Sequence, residues 1–356
     1  MNTSPMGLPA STEAVAASDA RIAHLFRAAR REGRIHPLQH LVQRHRADHG
    51  SAVRTGGALR TPAVFVALPV RGLHGPIDRE QLRLRLRELP ALPQAALEAL
   101  AVLRDDEASA ERCSELIGRD QALVARTLRL ANSAFYGVPG RVGSIRDAVH
   151  LLGRRTLCSV LTVATVSQQF DARSCPHFSF SGFWCHALAV ALGARGLARA
   201  LGSDEDRAFT AGLLHDIGRL ALAAHFPAEM DGAIACSHAE DAELASIESE
   251  MLGIDHVEVA AQVATQWRFP PEVVRAIASH HASPAAAAGG GPSLADIVHA
   301  ADAVAHALDL ADDPNEMVPA IDSAAWERLA LAPRVCLNLL HDTETGVADL
   351  CQAMGL

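Results

Sequence analysis

The run Leu213-Leu214-His215-Asp216-Ile217-Gly218-Arg219-Leu220 sets an imidazole beside a carboxylate inside an apolar, helix-forming stretch. Phe209, Leu213, Ile217 and Leu220 recur at helical spacing and supply a core face. Asp216 therefore needs a partner, because an unpaired buried carboxylate is costly. A cation, a donor network or a metal would meet that need. A His-Asp dipeptide by itself is common, and five further residues give this one weight. They are His186 in Phe183-Trp184-Cys185-His186, His256 after Gly253-Ile254-Asp255, the pair His280-His281, and Asp302 in the Ala-rich run from Ile297. Each has an ordinary reading: a core histidine, a helix start, imidazoles favoured at a helix C-terminus, an aspartate accepting backbone amides. As a set they read as ligands. Neutral imidazoles with carboxylates hold Mn, Fe, Ni, Zn or Mg, and ligand type alone does not choose among these. Such a site could activate a water and stabilise charge on a phosphoryl oxygen.

The elements that must position these residues read as helices. Apolar residues make up 49% of the 356, aromatics only 4%, and Ala and Leu carry most of the apolar content; this favours helix over sheet. Helices are expected at about 182–201, 204–224, 240–252, 256–267 and 271–281, with Ser203 and Asp206 at capping-box spacing. After the Ala/Gly run 285–291, Ser293 is placed to cap a helix through Leu310, and a helical tail follows from about Ser323 to Met354. Before Asp171, a compact lobe of about five helices is expected, with Ser144 and Asp147 capping one of them and Asn132 capping the turn at Phe135–Gly137. Trp184 and Trp267 are expected in the core. Residues 1–80, rich in Gly, Pro, Arg and His, read as a flexible arm with one short helix carrying Ile22, Leu25, Phe26 and Ala29 on one face.

Net charge is −9, with no Lys and all positive charge on Arg, which argues against a general nucleic-acid binder. An Arg excess between Arg21 and Arg60 leaves contact of the arm with nucleic acid or an acidic partner as a secondary reading. Seven dispersed cysteines without CxxC spacing read as reduced thiols. The N-terminus lacks a signal pattern, and the most apolar stretch, Leu157 to Val166, is too short for a membrane span. These features point to a cytoplasmic protein without membrane contact. No P-loop, dinucleotide fingerprint or nucleophile elbow is present.

The order His186, His215-Asp216, His256, His280-His281, Asp302 resembles the HD superfamily of metal-dependent phosphohydrolases. The wider pattern is similar to one branch, the HDOD (HD-related output domain) family of bacterial signal transduction. Leu89-Pro90-Ala91-Leu92-Pro93, the run Leu128 to Gly137, and Ser144-Ile145 through Leu151-Leu152-Gly153 resemble its N-terminal lobe. Gly212 to Gly218 and Gly253-Ile254-Asp255-His256 to Trp267, Pro270 and His280-His281 resemble its second lobe. The resemblance implies an all-α fold of two packed helical lobes. The HDOD domain would span 81–310, with an N-terminal lobe at 81–170 and an HD-like lobe at 180–310, followed by a helical tail, 311–356, packed on it.

It also implies a regulatory protein acting through a protein partner, more in keeping with a non-catalytic role, so no residue is assigned as catalytic. A divalent metal would be held by His186, His215, Asp216, His256, His280, His281 and Asp302. Because a residue stands at each ligand position, a metal-dependent phosphohydrolase acting on a nucleotide or cyclic nucleotide is the alternative. The sequence departs from the cyclic-di-GMP phosphodiesterase branch: Ala282-Ser283-Pro284 follows His281 in place of Gly-Tyr-Pro, and Arg219 stands where that branch favours Lys. Arg219 can hold phosphate of a small-molecule ligand but cannot donate a proton.

Overall fold

The computed structural model describes residues 12–29, 35–49, 75–89, 109–118, 121–132, 142–153, 157, 166, 170, 174–281, 291–310, 313 and 315–354. Among them the regular structure is helical, with no strand. Two N-terminal helices, α1 (Thr12–Leu25) and α2 (Pro37–His49), precede α3 (Arg79–Arg87), α4 (Ala110–Ile117) and α5 (Gln121–Ala131). Residues 145–153 are also helical. The second lobe comprises α6 (Phe180–Leu201), α7 (Glu205–Leu214), α8 (Ile217–His225), α9 (Pro227–Glu240), α10 (Leu244–Leu252), α11 (His256–Gln266), α12 (Pro271–Ala278) and α13 (Leu294–Leu308). Helices α14 (Ser323–Leu329) and α15 (Pro333–Met354) close the chain.

The larger of two hydrophobic clusters spans both lobes. Leu82, Leu86, Cys113, Ile117, Ala148 and Leu152 from the first lobe share it with α6, α7, α11 and α13. Helix α6 is its axis, and small residues let its neighbours approach. A Cβ on Gly193 would stand 3.5 Å from that of Ala301 on α13, and one on Gly196 would stand 2.4 Å from Leu339 Cδ1 on α15. Helix α13 is buried almost all round, as expected of a central helix. Trp184 is fully buried and Trp267 half-buried.

Local capping follows the sequence in part. Ser293 and Asp296 form the capping box of α13, and Ser144 Oγ accepts from the Asp147 amide at 3.1 Å. Helix α7 is capped instead by Asp204, whose carboxylate accepts from the amides of Asp206 and Arg207. The expected Ser203–Asp206 box is not used, because one carboxylate already satisfies both donors. Asn132 bonds the carbonyls of Leu128 and Val142 and accepts from the Val142 amide. It thus ties together the two ends of the stretch 133–141. The turn at 135–137, most of the Leu89–Pro93 motif and the Ala/Gly run 285–290 lie outside the described residues.

The largest differences from expectation concern helix breaks and the N-terminus. The helix expected over 204–224 is two, broken at His215-Asp216, and α9 fills a stretch for which no helix was expected. Among the described residues of the segment 1–80, two helices rather than one, α1 and α2, are docked on the body. Ile22, Leu25, Phe26, Leu38 and Val42 are buried against Ala303, Val304, Ala307 and Leu308 of α13, with Val318 and Leu340. Arg21 grips Asp309 bidentately at 2.8 and 2.7 Å. Arg27 donates to Asp241 and to the carbonyls of Asn315 and Glu316. These two arginines of the apparent basic excess are thus engaged by the protein's own carboxylates and carbonyls.

Candidate metal centre

Helix ends aim most of the imidazoles. His215 follows the last residue of α7, and its Nδ1 lies 2.7 Å from the Gly212 carbonyl. His280 stands two residues past the end of α12, with Nδ1 2.7 Å from the Ile277 carbonyl. Each ring thereby satisfies a carbonyl that a helix end leaves without an amide. A carbonyl can only accept, so the proton sits on Nδ1 and Nε2 turns inward with a lone pair. His256 opens α11: its amide and its Nδ1 both face Glu248 Oε2, at 2.7 and 2.5 Å. His186 projects from mid-α6, and Asp302 from mid-α13.

Asp216 sits at the α7–α8 break with φ −100° and ψ 11°, a sparsely used region of backbone space. The break lets α8 run against the start of α11, where Gly218 has no room for a side chain. An added Cβ would meet the His256 carbonyl oxygen at 1.9 Å and the Ala260 nitrogen at 2.7 Å. This contact brings His256 to Asp216.

All seven residues expected as ligands fall in one connected cluster. Asp216 Oδ1 lies 3.3 Å from His256 Nε2 and 3.4 Å from His280 Nε2, and His281 Nε2 is 3.0 Å from His256 Nε2. On the other side, Asp302 Oδ1 lies 3.1 Å from His186 Nε2 and 3.5 Å from His215 Nε2. His186 and His215 are 3.3 Å apart through their Nε2 atoms, and His215 Nε2 is 3.6 Å from Asp216 Oδ2. Among the described residues three donor groups emerge: Asp216 with His256, His280 and His281; His186 with His215 and Asp216; and His186 with Asp302 and His306. The first two share Asp216.

The HDOD domain is matched over residues 89–283. The chain belongs to the HDOD family. A crystal structure of a provisionally assigned phosphohydrolase from Shewanella amazonensis SB2B is 31% identical, with a TM-score of 0.54, over 77% of this chain and 96% of that one. An HDOD domain protein of unknown function from Geobacter sulfurreducens shares the fold at 22% identity and a TM-score of 0.57, over 78% and 98%. An uncharacterised protein of Treponema pallidum (strain Nichols) is 26% identical over 237 residues, 66% of this chain and 45% of its own length. The chain therefore spans less than half of that curated relative.

The residues present in this HDOD chain fit a divalent cation. Asp216 Oδ1, His280 Nε2 and both oxygens of Asp302 are buried without a hydrogen-bond partner, a costly arrangement for a site with nothing to hold. Donor atoms 3.0 to 3.6 Å apart match the edges of a coordination shell with bonds of about 2.1 Å. Burial pushes the carboxyl of Asp216 up, but His215, His256 and Arg219 outweigh it and hold the pKa well below the usual range. Asp302 is likewise held down against burial by His306, His186 and His215. Burial lowers His186, His280 and His281, the last well below the ordinary imidazole value. Asp216 and Asp302 held ionised, and His186, His280 and His281 held neutral, are the protonation states that a metal requires; His215 and His256 are instead raised against burial, by Asp216 with Asp302 and by Glu248 with Asp216.

The site forms part of the wall of a cavity of about 600 Å³. Arg219, expected as a phosphate contact, lines it while donating to Asp216 Oδ2 at 3.0 Å. Arg27 from the N-terminal segment reaches the rim. Sequence reasoning passed over three residues of this HDOD site. Glu248 is buried on α10 with no signal in its surroundings. Glu316 lies in the connection before α14. His306 was legible, since it stands four residues after Asp302 and shares its helix face.

Proposed function

We propose that this HDOD protein is a cytoplasmic output protein of bacterial signal transduction. In this reading its second lobe holds a divalent metal, binds a phosphorylated small molecule in the adjoining cavity, and passes that state to a protein partner. The observation that carries the reading is a cluster of buried donors without hydrogen-bond partners, Asp216 Oδ1, His280 Nε2 and Asp302 Oδ1 and Oδ2, beside a cavity that Asp216, His186, His256, His281 and Arg219 line. When bound, the metal would supply a Lewis acid for phosphoryl oxygens. The chain's own contribution is positional: Arg219 offers a planar fork to phosphate, and the braced imidazoles hold their lone pairs toward one centre. Among the described residues no helix is long and apolar enough to cross a membrane.

Phosphoester hydrolysis is the second reading, favoured by the sharing of Asp216 between two donor groups. A carboxylate placed between two cations suits in-line displacement at phosphorus, and the name of the Shewanella relative points the same way. One experiment separates the two. Protein purified after growth with Mn, Fe and Zn is analysed for metal, then tested for thermal stabilisation by, and hydrolysis of, a panel of nucleotides and cyclic nucleotides. The output reading expects bound metal, and stabilisation that is lost in Asp216→Ala and Arg219→Ala, without turnover. Turnover lost in Asp216→Ala moves the assignment to the hydrolase. Protein devoid of metal after all three growths overturns both.

A further inference from the structure

Beyond the seven ligands, α13 carries a buried imidazole one turn after Asp302. His306 Nε2 lies 3.3 Å from Asp302 Oδ1, and its ring centre is 4.4 Å from that of His186. Its Nδ1 makes a short hydrogen bond to Glu316 Oε1. Glu316 is held in turn from behind: its carbonyl accepts from Arg27, and Leu25 of α1 accepts from the Val318 amide at 2.8 Å. None of Asp302, His306 and Glu316 falls within the HDOD match, which ends at residue 283.

Two arrangements could explain a histidine between two carboxylates. In the first, an imidazolium bridges Asp302 and Glu316. Its Nε2–H would then donate to Asp302 in line, at about 2.8 Å. Asp302 Oδ1 instead has three Nε2 atoms at 3.1, 3.5 and 3.3 Å and no hydrogen bond to any of them. In the second, the Nδ1–H donates to Glu316 and Nε2 keeps a lone pair facing Asp302. That is the carboxylate–imidazole relation by which proteins orient metal ligands. Glu248 already stands in it toward His256. His186, Asp302 and His306 offer atoms close enough to share one ion.

We infer that His306 is a further metal ligand, completing the Asp302 side of the centre, and that Glu316 is its positioning residue. The inference rests on the metal reading above and assigns the cation an imidazole donor from outside the family-matched span. It also makes the centre depend on the segment 315–318, which the N-terminal helices hold in place.

The test uses the full chain loaded with Co²⁺, whose visible ligand-field spectrum responds to the donor set. His306→Gln is expected to change that spectrum and weaken Co²⁺ binding in chelator competition. Glu316→Gln is expected to weaken binding by about 10–100-fold while leaving the donor set intact. His225→Gln, a histidine outside the cluster, serves as the control. A folded His306→Gln with the wild-type spectrum overturns the inference alone, since a purely bridging imidazolium would leave the spectrum unmoved. If His306→Gln does not fold, Glu316→Gln decides: wild-type Co²⁺ affinity overturns the inference. A wild type that takes up no Co²⁺ overturns both this and the metal reading.

Discussion

At the scale of single residues, four of the clustered rings have their outer nitrogen engaged. Gly212, Ile277, Glu248 and Glu316 each take the Nδ1 side of one imidazole. His299 extends the scheme. Its Nε2 accepts from the Asp322 amide, so its Nδ1 donates to the His280 carbonyl at 2.6 Å. The His280 backbone is thereby locked to α13. Of the braces, Glu248 is the most exacting, because one carboxylate oxygen receives both the ring and the amide of His256. Glu248→Gln is expected to lower metal affinity by about 10–100-fold, read by isothermal titration with Zn²⁺ or Mn²⁺. Unchanged affinity would mean that His256 needs no brace or is no ligand.

At the scale of elements, two close approaches fix the geometry. The α7–α8 break turns Asp216 inward, and Gly218 lets α8 lie on the first turn of α11 with backbone against backbone. Gly218→Ala would ordinarily favour a helix. Here the new methyl would meet the His256 carbonyl, which cannot swing aside as a side-chain end could. The expected outcome is a destabilisation of about 1–3 kcal/mol in denaturant unfolding, together with weaker metal binding as His256 is pushed off Asp216. An alanine variant as stable as wild type would show that α8 and α11 separate freely. Gly143, around which a Cβ would meet nothing within 4 Å, is the matched control.

At the scale of the molecule, the N-terminal helices belong to the body that carries the site. They bury Ile22, Leu25, Phe26, Leu38 and Val42 on the outer face of α13, while its inner face presents Asp302. This docking is pH-sensitive through His36, whose ring meets Trp326 edge-on with centres 5.0 Å apart and whose Nδ1 accepts from the Leu38 amide. Burial, aided by His299, lowers its pKa to about 4. The folded chain therefore keeps His36 neutral while the unfolded chain protonates near 6.5. The stability from neutral His36 is complete above about pH 6.5 and is lost as pH falls toward 4, by about 1–2 kcal/mol once partial solvation is allowed for. Melting curves from pH 7 to 4 should fall more steeply for wild type than for His36→Phe. Parallel curves would remove His36 from the acid response.

How much of this was legible beforehand divides along physical lines. Composition and helical periodicity determined an all-α chain, since Ala and Leu at 3.6-residue spacing leave little else to form. The order of His186, His215-Asp216, His256, His280-His281 and Asp302 carried the family and the candidate ligands, because those side chains are chemically expensive to bury without purpose. The tertiary structure decided what depends on atoms distant in sequence. The break after His215 goes with a close backbone approach at Gly218, which only the packing of α11 creates. The roles of Glu248 and Glu316 arise from rings eight and ten residues away in sequence that folding brings into contact. The N-terminal segment looked like a solvated arm because its helices are short and its charges basic. Only the carboxylates of Asp241 and Asp309 and the apolar face of α13, more than 200 residues downstream, turn it into part of the site's support.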